Sequence, residues 1–100
     1  MKKLVIILIV LISLLMGNIL KAQNVGISAN TFTPDASAGL EIQFSDKGVL
    51  IPRVALTSAT DVTTIPSPAN SLLVYNTGTG GLTPAGYYYW DGSSWIHFAT

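Results

Sequence analysis

The single histidine, His97, is the one side chain of this sequence whose ordinary titration range lies near neutral pH. Asp91 and Ser93 stand a few positions before it, and together the three have the residue types of a serine, histidine and aspartate relay. All three sit in "YYYWDGSSWIHF", where Asp91-Gly92-Ser93-Ser94 has the composition of a turn between two aromatic stretches. The expected role of His97 is therefore packing or surface exposure, not proton transfer. Asp35, Glu41, Asp46, Asp61 and Asp91 form no close sequence pair and no calcium-loop pattern. Gly78-Thr79-Gly80-Gly81 lacks the following lysine and helix of a phosphate cradle. No cysteine is present, which excludes disulfides, thiolate metal ligands and a lipid-attachment cysteine. Neither an enzyme nor a cofactor or metal protein is expected.

Aromatic side chains are the remaining candidates for recognition. Seven of the nine fall after Asn70. A hairpin is expected there, either with Gly92-Ser93 as a two-residue loop or with Asp91-Gly92 in that place. The two registers differ by two and give the same faces. One face collects Tyr88, Trp90, Trp95 and His97, the candidate ligand or interface contacts. The other collects Tyr87, Tyr89, Ile96 and Phe98. Flat rings beside polar edges suit a carbohydrate or receptor surface, and they equally suit packing.

The elements that must position these residues read as short strands. Leu40-Glu41-Ile42-Gln43-Phe44 alternates apolar and polar, as a strand with one buried face does. Further strands are expected near 25–28, 49–56, 72–75, 87–90 and 95–98. Pro52 interrupts the third and makes it an edge strand, a bulge or two pieces. The turn residues Ser45-Asp46-Lys47-Gly48 predict a hairpin or meander from Leu40 to Leu56. Residues 57–70 read as a connecting loop, with Thr57 able to cap one helical turn over Ser58 to Val62. Asn76-Thr77-Gly78 closes the next strand, and Thr77 to Gly86 is a glycine-rich loop. The fold class is all-β, built from a small antiparallel meander and hairpins.

Residues 1–22 differ in kind. Lys2 and Lys3 precede an apolar run from Leu4 to Leu15, broken only by Ser13, and Gly17-Asn18 interrupts it before Lys21-Ala22-Gln23. This is the layout of a secretory signal peptide cut after Ala22, with a retained anchor as the alternative. The run is short for a membrane span, and the bilayer is met only through this leader during export.

Removing the leader changes the averages. The 100-residue chain carries five cations and five acids. Residues 23–100 keep only Lys47 and Arg53 against all five acids, a net charge of −3. A nucleic-acid surface is excluded on that balance. A module this short buries only about 60% of its unfolded surface, and self-association would supply the missing core.

Five blocks then stand in order: Val25-Gly26-Ile27; Thr33 to Ile42, "TPDASAGLEI"; Lys47 to Arg53, "KGVLIPR"; Pro68 to Thr77, "PANSLLVYNT"; and Tyr88 to Trp95, "YYWDGSSW". They resemble the N-terminal module of secreted, tail-fibre-like and adhesin-like surface proteins of the Bacteroidetes. The resemblance spans essentially the whole chain after the leader. It implies a cell-surface or extracellular structural module, with a periplasmic location as the other possibility. Its expected partners are other copies of itself, as a trimer, or the continuation of a longer fibre chain; surface glycans belong to the carbohydrate- or receptor-binding alternative. No catalytic or ligand-binding residue is carried over.

Overall fold

The computed structural model describes residues 1–17 and 23–98. The Asn18 break and the expected cleavage after Ala22 lie outside the described residues, as do Ala99 and Thr100. The chain divides into two compact units, Met1–Lys47 and Gly48–Thr100.

In the first unit, α1 (Lys2–Gly17) follows from an uninterrupted apolar run without proline. Its side chains are exposed from Lys2 through Leu14. Among the described residues, no helix is long and apolar enough to cross a membrane. Two strands follow, β1 (Val25–Ser28) and β2 (Leu40–Gln43), which pair in parallel with Val25 opposite Leu40 and Ile27 opposite Ile42. The connection between them passes over one face of this ribbon. Gly26 leaves room for it: a Cβ there would stand 2.6 Å from the Phe32 ring and 2.8 Å from Pro34, so these side chains would have to shift. The Glu41 carboxylate accepts the Asp35 amide at 2.7 Å and the Gln43 side-chain amide at 2.6 Å. Its position in the β2 alternation matches that of Gly26 in β1.

The second unit is a four-stranded sheet of order β3 (Arg53–Val54), β4 (Leu73–Asn76), β5 (Gly86–Trp90), β6 (Trp95–His97). From β4 to β6 it is an antiparallel meander, and β3 joins β4 in parallel. Alternation decides what is buried. Val74 faces Tyr88 across the ladder, Trp90 faces Trp95, and these four with Leu56 form the core. Val54, Ile65, Leu72 and Leu82 pack against it.

The chain is all-β after α1, with two small open sheets, and the antiparallel part is the β4–β6 meander. The Leu40 to Leu56 hairpin does not form. β2 pairs with β1, where Val25 and Ile27 match its alternation, and β3 pairs with β4. Proline gives the physical reason on the returning arm. Pro52 has no N–H for a ladder, although its carbonyl accepts the Tyr75 amide at 2.9 Å. The 49–56 run accordingly shrinks to a two-residue edge strand. A second correction concerns Asn76, which is fully buried at the end of β4 and does not turn the chain. Its Oδ1 accepts the Leu56 amide at 3.1 Å, and its Nδ2 donates to the Leu82 carbonyl at 2.9 Å.

The 57–70 connection contains turns and no helix. Asp61 organises it. One carboxylate oxygen accepts the amides of Thr63 and Thr64 and the Thr63 hydroxyl, and the other accepts the Thr57 amide and the Thr64 hydroxyl. The local preference is for side-chain-to-backbone turns, which compete with a helix.

Candidate assembly surfaces

The hairpin uses the Gly92-Ser93 register, since Trp90 pairs with Trp95 and the Asp91 amide donates to the Ser94 carbonyl at 3.0 Å. Gly92 takes φ +101°, as the first central position of such a loop requires. The Asp91 carboxylate accepts the amides of Ser93 and Ser94, both at 2.8 Å. The bonds from the Ser94 and Ser93 amides hold its carboxyl below the ordinary carboxylate range. Asp91 is thereby committed to the turn.

The four candidate contact residues do share a face, and that face points inward. Tyr88, Trp90 and Trp95 are 2%, 6% and 3% exposed. The two indoles meet edge to face with centroids 5.2 Å apart. Tyr88 donates its hydroxyl to the Pro84 carbonyl at 2.6 Å, and Trp95 donates its indole N–H to the Asp61 carbonyl at 2.7 Å. His97 is half-buried, stacks 4.9 Å from Tyr88, and fills the space where Gly86 has no side chain. As a flat platform for a ligand, Tyr88, Trp90 and Trp95 are corrected to core residues. They are buried because the loop from Thr57 to Ile65 and the segment around Leu82 cover this side of the sheet.

The accessible aromatic residues are on the other side. Arg53, Tyr75, Tyr87 and Phe98 follow one another across the four strands, and Leu73, Tyr89 and Ile96 make a second row. Tyr75 and Tyr87 meet at 5.1 Å, and Tyr89 and Phe98 at 5.5 Å. Leu50, Ile51, Arg53, Tyr75 and Tyr87 line a shallow groove of about 210 Å³.

In the first unit, an open polar groove of about 500 Å³ runs between 28–32 and 42–46. Among the described residues, no three histidine or acidic side chains gather where a metal could be held. Asp61 was the structural residue hardest to foresee. Its signal in the sequence is the pair of threonines at 63 and 64, each offering an amide and a hydroxyl to one carboxylate.

The geometry thus offers one well-filled core and an exposed, mainly aromatic sheet face, and no converging set of reactive groups among the described residues. No curated protein and no solved structure matches the chain. The family model described as "Phage tail like trimerisation region" matches residues 26–100, which takes in both sheets nearly whole. By that match, the chain belongs to the phage tail like trimerisation region family.

Proposed function

We propose that this chain is an exported, non-catalytic structural module that trimerises within a fibre-like surface protein. The self-associating, tail-fibre-like role follows from the family match over residues 26–100, and that match is the observation that carries it. Export rests on the layout of residues 1–22: a cationic start, the apolar run of α1 and a Gly17-Asn18 break ahead of Lys21-Ala22. The two small open sheets agree with a module that completes its packing in an assembly.

Carbohydrate or receptor binding is the second reading, and it has moved face. Tyr88, Trp90 and Trp95 are enclosed, so a glycan would have to lie on Tyr87, Tyr89 and Phe98. Native mass spectrometry of the chain, produced with its own leader in an exporting bacterium, tests the primary reading. Ions of three-chain mass are expected. Single-chain ions alone at high micromolar concentration would remove it.

A further inference from the structure

We infer that three copies of this chain meet through the face of the β1–β2 ribbon formed by Val25, Ile27, Leu40 and Ile42. The inference rests on the trimerising role proposed above and names the surface that performs it.

The first observation is a missing core. Residues 23–47 include no buried side chain, whereas the second unit buries Leu56, Val74, Tyr88, Trp90 and Trp95 within itself. An isolated two-stranded sheet is marginal in water, and parallel pairing is the weaker kind. The described residues of the first unit therefore leave the ribbon without a core of its own.

The second observation is that its two faces are treated differently. The Gly26 face is already occupied: Phe32 and Pro34 lie against the glycine, and Glu41 ties down the connection at Asp35. Register and alternation place Val25, Ile27, Leu40 and Ile42 together on the opposite face. Val25, Ile27 and Leu40 are 49%, 48% and 57% exposed, and Ile42 is half-buried. No side chain of this face bears a charge or a hydrogen-bonding group. Three copies can approach along it without like-charge repulsion and without stranding a polar atom.

Direction also fits. Rotation about an axis along the strands leaves β1 and β2 of every copy pointing the same way, and it turns Ser28, Glu41 and Gln43 outward. The outer face of the second sheet is the weaker candidate. It stands on a filled core, and the phenols of Tyr75, Tyr87 and Tyr89 and the Arg53 guanidinium can all face water.

The experiment compares the full chain with Ile27→Asp/Leu40→Asp and with Phe98→Asp, by sedimentation equilibrium at matched concentrations. The ribbon double variant is expected to sediment as a monomer while the near-ultraviolet signal of Trp90 and Trp95 stays native. Phe98→Asp is expected to remain trimeric. A second test uses the absence of cysteine. Ile27→Cys should give a two-chain band on oxidation, and Ser93→Cys, at the exposed hairpin turn, should not. A wild-type trimer that survives the ribbon substitutions, or cross-links at Ser93→Cys and not at Ile27→Cys, overturns this surface and leaves trimerisation standing. A wild-type monomer overturns the functional reading itself.

Discussion

The indole N–H of Trp95 donates to the backbone carbonyl of Asp61 at 2.7 Å, across 34 positions of sequence. The same aspartate holds its own loop together with both carboxylate oxygens, and the Trp95 amide donates to the neighbouring Ala59 carbonyl at 2.6 Å. One loop is thereby clamped onto the last strand, and the crossover from β3 to β4 becomes the lid of the core. Asp61→Ala removes the acceptor of five hydrogen bonds at a site 5% exposed. A loss of about 2–4 kcal/mol is expected, read from the urea midpoint.

The pH dependence has a definite sign. The Thr64 hydroxyl and the amides of Thr64, Thr57 and Thr63 hold the Asp61 carboxyl far below the ordinary carboxylate range. A carboxylate whose folded pKa is depressed contributes stability above its unfolded value, and that contribution is lost as pH falls toward the folded value. The urea midpoint should change little from pH 7 to 5 and decline below about pH 4. Asp61→Asn should flatten that decline; an unchanged acid slope in this variant would show that Asp61 is not its source.

Asn76 joins three segments from inside the sheet, so Asn76→Ala leaves the Leu56 amide without its acceptor and the Leu82 carbonyl without this donor. A cost of about 2–4 kcal/mol is expected. Hydrogen exchange at the Leu56 amide should rise above that of neighbouring protected amides.

The burial of the aromatic face predicts opposite outcomes for its two sides. Trp90→Ala and Trp95→Ala should each lower stability by about 3–5 kcal/mol. Tyr87→Ala and Phe98→Ala, at residues 42% and 50% exposed, should cost about 1 kcal/mol or less. Thermal melts of the four variants decide this, and equal costs on both sides would contradict the assigned core.

Gly80 and Gly48 make a matched pair. A Cβ on Gly80 would stand 2.5 Å from the Ala55 carbonyl oxygen, which is backbone and cannot swing aside, whereas a Cβ on Gly48 meets nothing within 4 Å. Gly80→Ala should lower the melting temperature clearly, and Gly48→Ala should be neutral or slightly stabilising.

Several features were legible in the residues. The alternation in Leu40 to Phe44 and the aromatic arms around Asp91-Gly92-Ser93-Ser94 point to strands at those places, and the faces of the hairpin follow from period two alone. Partnership was not legible. Nothing local distinguishes β2 folding back on 49–56 from β2 lying beside β1, because both offer apolar alternation. The lack of an N–H at Pro52 tips the balance only once a rival strand is known. The buried side of the hairpin was equally hidden. Both faces are aromatic, and which one is covered depends on a loop held by Asp61, far away in sequence. Burial of Asn76 was masked by the turn-forming company of Thr77 and Gly78.

Self-association into a trimer is decided by sedimentation equilibrium on the chain from low to high micromolar concentration. The expected result is a mass three times that of the single chain, whose uncut form is 10.6 kDa. A single-chain mass throughout that range, with a cooperative melt, would contradict it.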